Sequence, residues 1–149
     1  MRVALDTNIL VYAEGLNGPD RQQEATALLD SLLRADLVIP VQVLGELLHV
    51  LARKTRRSRA AVRDAMLVWR DGYEIAPTTI ESFVSASNLV ADRQLATWDA
   101  IIVAVAVDAG CSLLLSEDMQ DGFTWGGLVV ANPFADRVHP MLARLRNEN

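Results

Sequence analysis

Short apolar runs alternate with longer segments of helical periodicity along the chain, and this alternation limits the possible folds more than any other feature. The apolar runs occupy residues 2–5, 37–39, 74–76, 112–115 and 128–131. A strand that is covered on both faces is apolar throughout, so these runs predict a largely parallel sheet whose strands are connected by helices. We therefore predict an α/β fold with three layers, α/β/α, and a central, mainly parallel sheet of four or five strands.

The segments between these runs are predicted to be helices. The leucines of segment 41–54 recur at positions i, i+3, i+4 and i+7, which places them on one helix face. Segment 99–109 has almost no polar face and is predicted to be buried on most sides. Thr7 and Asn8 are predicted to cap a helix that starts near residue 9. The other predicted helices cover residues 21–33, 41–54, 59–70, 80–92 and 99–109, with a short amphipathic helix near the C-terminus.

Length and composition indicate one domain that spans residues 1–149. The chain has 149 residues, of which 51% are hydrophobic, so it can bury a substantial core. Its single cysteine, Cys111, cannot form an internal disulfide. Asp6 and Asn8 interrupt the N-terminal apolar stretch, which excludes a signal peptide, and run 100–107 is far shorter than the ~20 residues that span a bilayer. We expect a soluble protein of the cytoplasm.

The net charge of −5 does not suggest a generally basic, nucleic-acid-binding surface. Cations are nevertheless concentrated in one segment, which contains Arg53, Lys54, Arg56, Arg57 and Arg59. Such a segment can contact the phosphates of a nucleic acid, although a solvated helix end would carry the same residues. The three tryptophans are predicted to pack in the core.

Four acidic residues, Asp6, Glu46, Asp99 and Asp118, occupy positions with apolar flanks. Asp6 and Asp118 follow predicted strands, and the carboxyl ends of parallel strands are where sites of such sheets form. Charged carboxylates in apolar surroundings are unfavourable unless they are compensated, and none of the four has an adjacent lysine or arginine. Cations from elsewhere in the fold can compensate them. A divalent metal is the alternative, because Mg²⁺ and Mn²⁺ prefer oxygen ligands.

The chain resembles the PIN-domain family, and specifically its VapC-type toxins, over essentially its whole length. The resemblance rests on the segments LDTNILVYA, VLGELLHVL, TWDAIIVAVAVDAGCSLLLSEDM and VVANPF. It implies a Mg²⁺- or Mn²⁺-dependent endoribonuclease, the toxin of a type II toxin–antitoxin pair, which hydrolyses RNA phosphodiesters. It further implies a cognate antitoxin protein, whose tail covers the acidic pocket, and a homodimer.

The resemblance also implies roles for individual residues. Asp6, Glu46, Asp99 and Asp118 would be the catalytic metal ligands, with Asp121 as an alternative or additional fourth acid. Glu117 is expected to point away. Supporting hydrogen bonds would come from Thr7, Asn8 and Ser116. RNA phosphates would be contacted by Arg53, Lys54, Arg56 and Arg57.

Other functions agree less well with the residues. A haloacid-dehalogenase-like phosphatase needs a second aspartate two residues after Asp6, where this chain has Asn8. A receiver domain needs a late lysine, and no lysine follows Lys54. A non-catalytic PIN-fold binding module is expected to have lost at least one of the four acids. A PIN nuclease of RNA processing would carry the same residues and stays open.

Overall fold

A computed structural model describes residues 1–147, which contain six strands and seven helices. The strands are β1 (Arg2–Leu5), β2 (Asp36–Pro40), β3 (Glu74–Ala76), β4 (Leu113–Leu115), β5 (Thr124–Trp125) and β6 (Leu128–Ala131). The helices are α1 (Thr7–Ala13), α2 (Pro19–Asp30), α3 (Val41–Lys54), α4 (Arg59–Gly72), α5 (Ile80–Arg93), α6 (Thr97–Asp108) and α7 (Pro140–Asn147). They lie on both sides of the sheet, so the predicted three-layer α/β architecture is confirmed.

The strands form one sheet in the order β3-β2-β1-β4-β6-β5. All neighbouring pairs are parallel except β5 and β6. The sheet has six strands, whereas four or five were predicted, because the two-residue β5 adds an antiparallel hairpin at one edge. Gly126 and Gly127 form its turn with φ values of 57° and 84°. Such paired positive φ values are those of a tight hairpin turn, where glycine is favoured.

β1 lies at the centre of the sheet, so the residues that follow it meet those that follow its neighbouring strands. β1 pairs with β2 on one side and with β4 on the other. The ladder continues beyond the strands, because the Asp6 amide donates to the Leu115 carbonyl (3.0 Å) and the Ser116 amide to the Ala131 carbonyl (3.1 Å). Asp6 and Ser116 are therefore brought together at the carboxyl edge of the sheet.

Three helices, α1, α2 and α6, start earlier than the sequence predicted. Helix α1 begins at Thr7, and its cap is Asp6 rather than Thr7 or Asn8. The Asp6 side chain accepts a hydrogen bond from the Thr7 amide, which is the usual function of an N-cap aspartate. Helix α2 begins at Pro19, because proline is compatible with the first helical position, where no amide is needed.

Helix α6 has a continuous buried core of seven residues. Its residues 100–106 are all buried, as the apolar sequence predicted. It begins at Thr97, which places Asp99 in its first turn. Helix α5 ends at Arg93, and Gln94 turns the chain toward α6 in a left-handed conformation. Within residues 1–147, no helix has the length and apolarity needed to cross a membrane.

Candidate functional site

Four carboxylates are delivered to the carboxyl edge of the sheet by four different elements. Asp6 follows β1, Asp118 follows β4, Glu46 lies on α3, and Asp99 lies in the first turn of α6. The pKa values of Asp6 and Asp99 are each raised partly by the other acids of the group. We call Asp6, Glu46, Asp99 and Asp118 the acidic cluster.

Asp6 is the most enclosed member of the acidic cluster, with 4% of its surface exposed. Its carboxylate accepts hydrogen bonds from the Thr7 amide (2.7 Å), the Asn8 side-chain amide (2.9 Å) and the Ser116 hydroxyl (2.6 Å). Burial, with a smaller contribution from the negative charges of Asp99 and Glu46, raises the pKa of Asp6 to about 6, although the hydrogen bonds from Ser116 and Thr7 act to lower it. Part of the negative charge therefore remains uncompensated.

Asp99 shares this electrostatic environment. Burial raises its pKa, and the charges of Glu46 and Asp118 add to the effect. Within residues 1–147, no lysine or arginine forms an ion pair with any member of the acidic cluster. The protein thus concentrates four negative charges without placing a cation in salt-bridge contact with any of them.

Three side chains predicted to support the acids connect them through hydrogen bonds. The Thr7 hydroxyl donates to Glu46 (2.7 Å). The Asn8 amide bonds Asp6 and also approaches Asp118 (3.3 Å) and Ser116 (3.5 Å). The chain therefore links Asp6, Glu46 and Asp118 through the first turn of α1.

The alternative acids face elsewhere. Asp121 accepts a hydrogen bond from the Asn132 amide (2.8 Å), which anchors the turn before β5 to the end of β6. Glu117 accepts hydrogen bonds from the Tyr12 hydroxyl and from Arg21, at 2.9 Å for Arg21. Glu117 therefore points away from the acidic cluster, as expected from the sequence.

The predicted RNA-contacting residues are all exposed, but they do not all have the same freedom. Arg57 forms an ion pair with Glu14 and also donates to the Glu14 carbonyl (2.8 Å), so it ties the end of α1 to the loop before α4. By contrast, Arg53, Lys54 and Arg56 make no hydrogen bond or ion pair in the described part of the chain. Trp98, which was expected in the core, is 57% exposed beside Asp99 because it lies on the outer side of the first turn of α6.

Two residues near the acidic cluster were missed by sequence reasoning. Gln42 lies one helical turn before Glu46 on α3 and donates to its carboxylate (3.1 Å). The i, i+4 spacing of these two residues could have indicated this contact. Arg93, at the end of α5, lines a cavity of about 250 Å³ together with Asp99 and Asp118. We call this space the Arg93 cavity.

The acidic cluster is chemically suited to a hard divalent cation. It offers only oxygen ligands, and its uncompensated charge would be neutralised by such an ion. Within residues 1–147, no three His, Cys, Asp or Glu side chains converge closely enough to hold a metal ion between them. Mg²⁺, however, usually binds through one or two carboxylates and keeps several waters, which this arrangement permits.

Comparison with known proteins places the chain among proteins of this fold. The PIN domain model matches residues 3–120. Ribonuclease VapC7 of Mycobacterium tuberculosis is 30% identical over 120 residues, which are 78% of this chain and 81% of that protein.

Solved structures show the same fold at lower identity. VapC20 of Mycobacterium tuberculosis, a Sarcin-Ricin loop cleaving toxin, has a TM-score of 0.63 and 20% identity over 75% of this chain and 86% of its own. A toxin–antitoxin complex from Klebsiella pneumoniae has a TM-score of 0.66 and 20% identity over 89% of this chain and 98% of its own. FitAcB from Neisseria gonorrhoeae has a TM-score of 0.63 and 18% identity over 89% and 98%. Since the family model spans most of the chain and the VapC7 alignment covers most of both proteins, this chain belongs to the PIN-domain family.

Proposed function

We propose that this protein is a divalent-metal-dependent endoribonuclease and the toxin of a type II toxin–antitoxin pair. The observation that carries the proposal is the acidic cluster, in which four carboxylates share one edge of the sheet and no lysine or arginine of residues 1–147 forms a salt bridge with them. The identity with a named ribonuclease, VapC7, supports the reaction class. The likeness to solved toxin–antitoxin complexes supports the biological setting.

We assign the metal to the group Asp6, Glu46, Asp99 and Asp118, of which one or two would bind it directly and the others through its waters. A bound Mg²⁺ or Mn²⁺ would lower the pKa of a water and neutralise charge that develops on a phosphodiester. Asp6 would be held by its three hydrogen bonds, and Glu46 by Thr7 and Gln42. Such bonds orient ligands before the ion arrives.

RNA would approach from the side of Asp99 and Asp118, because Asp6 is enclosed. The cations Arg53, Lys54 and Arg56, whose side chains have no partner among residues 1–147, would attract the phosphates. Such contacts position a nucleic acid without reading its sequence. Arg57 would contribute less than these three, because its guanidinium is already bonded to Glu14.

Two protein partners follow from the proposal. An antitoxin would cover the acidic cluster, and an arginine or lysine of its tail would replace the cation there. A second copy of the chain would form a homodimer, since C₂ dimers are the commonest oligomers. Exposed apolar residues on α5 support a protein-covered face, because Ile80, Phe83 and Val84 are 72%, 48% and 56% exposed. A monomeric mass in solution would contradict the dimer.

The test is RNA cleavage by the purified protein, freed of any antitoxin by unfolding and refolding. Wild type would be compared with Asp99→Asn, in Mg²⁺ or Mn²⁺ and in EDTA. Loss of supporting residues around a metal typically reduces activity about 10- to 100-fold, so loss of a direct ligand is expected to reduce cleavage by at least roughly 100-fold. EDTA is expected to abolish cleavage of every RNA.

Asp64→Asn is the matched control, because Asp64 is an exposed acid on α4 and the substitution removes the same charge. It should leave cleavage unchanged. Thermal unfolding should show that Asp99→Asn is folded. Cleavage that persists in EDTA, or in a folded Asp99→Asn variant, would overturn the proposed site. Absence of both cleavage and metal binding would favour a binding module.

A further inference from the structure

The Arg93 cavity differs chemically from the acidic cluster that it adjoins. Asp99 and Asp118 form the wall on the side of the cluster, and Arg93 lines the same space. Among residues 1–147, the Arg93 side chain has no hydrogen-bond or ion-pair partner, neither these acids nor any other residue. A guanidinium without a partner beside two carboxylates is available to an anion from outside.

The remaining lining of the Arg93 cavity combines apolar side chains with the glutamines Gln94 and Gln120. The apolar side chains include Met119 and Phe123, and both are half-buried against the core. Gln120 adds a side-chain amide at the rim. Aromatic rings and the flexible methionine thioether are suitable surfaces for a flat, apolar ring, and an amide can both donate and accept at the edge of that ring.

The turn that carries this apolar part of the wall is held by the protein itself. The Phe123 amide donates to the Gln120 carbonyl (3.1 Å), and the Phe123 carbonyl accepts from the Val130 amide (2.9 Å). Asp121 fixes the same turn through its bond to the Asn132 amide. The wall is therefore formed before any ligand binds.

We propose that the Arg93 cavity binds the nucleotide next to the phosphodiester that is cleaved. Arg93 contacts the phosphate of that nucleotide, its base packs on Phe123 and Met119, and Gln120 hydrogen-bonds the base edge. The cavity then determines which base is preferred beside the cleavage site. This inference rests on the proposed ribonuclease function, because the acidic cluster that forms one wall is the proposed site of cleavage.

A purely structural interpretation of Arg93 is that its positive charge only interacts with the helix dipole at the C-terminal end of α5. Cations at helix C-termini are generally favourable for that reason. Under that interpretation Arg93→Gln would change stability slightly and leave RNA binding unaffected. The two interpretations therefore make opposite predictions for the effect of Arg93→Gln on RNA binding.

The test is the binding of a short labelled RNA in EDTA at several salt concentrations, followed by cleavage of a randomised RNA pool in Mg²⁺. Arg93→Gln is expected to weaken RNA binding and to lower the slope of log affinity against log salt by about 1. Phe123→Leu keeps an apolar side chain but removes the ring, and it is expected to change the base preference beside the cleavage site. Base stacking on an aromatic side chain is typically worth roughly 5- to 150-fold in affinity.

Arg70→Gln is the matched control, because Arg70 is an exposed arginine near the end of α4, and β3 starts just after that helix at the opposite edge of the sheet. It removes the same charge and should leave the salt slope as in wild type. The proposal is overturned if Arg93→Gln behaves like Arg70→Gln, if Phe123→Leu keeps the wild-type base preference, or if wild type binds no RNA.

The outcomes separate this inference from the proposed function. RNA cleavage by wild type with no effect of Arg93→Gln would reject the cavity and keep the ribonuclease. RNA binding that depends on Arg93, without any metal-dependent cleavage, would keep the cavity as an RNA site and reject the ribonuclease. Thermal unfolding of each variant shows whether a loss comes from misfolding.

Discussion

The acidic cluster has two sides, one formed by Asp6 and the other by Asp99 and Asp118. They differ in how many hydrogen bonds their carboxylates accept from the protein. Asp6 is 4% exposed, and its carboxylate accepts three hydrogen bonds. Asp118 is exposed and has one long contact, to the Asn8 amide (3.3 Å). Asp99 accepts no hydrogen bond from the described residues and borders the Arg93 cavity.

This difference shows how a rigid and an accessible half can coexist in one site. The Asp6 side, which we call the closed half, holds Asp6 in one geometry, and this reduces the reorganisation needed when a ligand binds. The Asp99–Asp118 side, which we call the open half, keeps carboxylate oxygens free for an ion, its waters and a substrate. The same contrast separates the arginines, because the side chains of Arg21 and Arg57 are bonded to other residues whereas those of Arg93 and Arg56 have no partner within residues 1–147.

The largest effect is expected on the closed side, from Asp6→Asn. The substitution removes a charge but little volume, so cleavage should fall by at least about 100-fold while the fold persists. Without metal, the variant should also be more stable than wild type at neutral pH by about 1 to 3 kcal/mol, because it removes a buried charge that repels its neighbours. Cleavage assays and thermal unfolding in EDTA measure both quantities.

The pH dependence of the stability difference between Asp6→Asn and wild type tests whether the buried charge of Asp6 causes it. The pKa of Asp6 is raised in the folded state to about 6. Between its unfolded pKa near 4 and this value, the folded protein binds more protons than the unfolded chain, so this group lowers stability as pH rises. The gain in unfolding free energy of Asp6→Asn over wild type should therefore be small near pH 4 and reach its full value above about pH 6. It should be smaller again when Mg²⁺ is present. A variant that is less stable than wild type at pH 7 in EDTA would contradict this account.

An intermediate effect is expected from Arg21→Gln, which removes a cation that is paired with Glu117, the residue before Asp118. Arg21 pairs with Glu117 (2.9 Å) and lies over the rings of Tyr12 and Phe134, at 5.4 and 4.7 Å from their centroids. Because this group holds the residue that precedes Asp118, the variant should lose about 1 to 3 kcal/mol of stability and bind Mg²⁺ more weakly.

Arg63→Gln is the control for Arg21→Gln. Its ion pair with Asp64 is exposed, at 63% and 60%, and exposed pairs contribute about 0 to 1 kcal/mol. Denaturation and calorimetric Mg²⁺ titration should separate the two variants. Equal stability and equal Mg²⁺ affinity in both would show that the contacts of Arg21 do not position Asp118.

The smallest effects are expected from two neighbouring arginines that differ in bonding. Arg56→Gln should leave stability within about 0.5 kcal/mol and weaken RNA binding roughly 2- to 5-fold, because Arg56 has no partner among the described residues. Arg57→Gln should reduce stability by about 1 kcal/mol, with a smaller effect on RNA, because it breaks the contacts with Glu14. Unfolding and RNA-binding curves that show the reverse pattern would reject the distinction between bonded and free cations.

Several parts of the fold could be predicted because their cause is local. A buried parallel strand is largely apolar, so β1 and β6 were identified at their observed bounds. The leucine spacing of α3 is likewise visible without tertiary structure. β5 was missed because two residues are too few to show periodicity, although the Gly126-Gly127 turn was readable.

The sequence by itself determined the elements other than β5, their order and the four candidate acids, because hydrophobic period, cap residues and motif spacing all act within a few residues. Only the tertiary structure decided what surrounds each acid. Asp6 is enclosed because β1 lies between β2 and β4, which brings Ser116 to its carboxylate. Arg93 reaches the open half because the chain turns at Gln94 before α6 begins. Burial and electrostatic coupling depend on distances between residues far apart in the chain, and local sequence does not specify those distances.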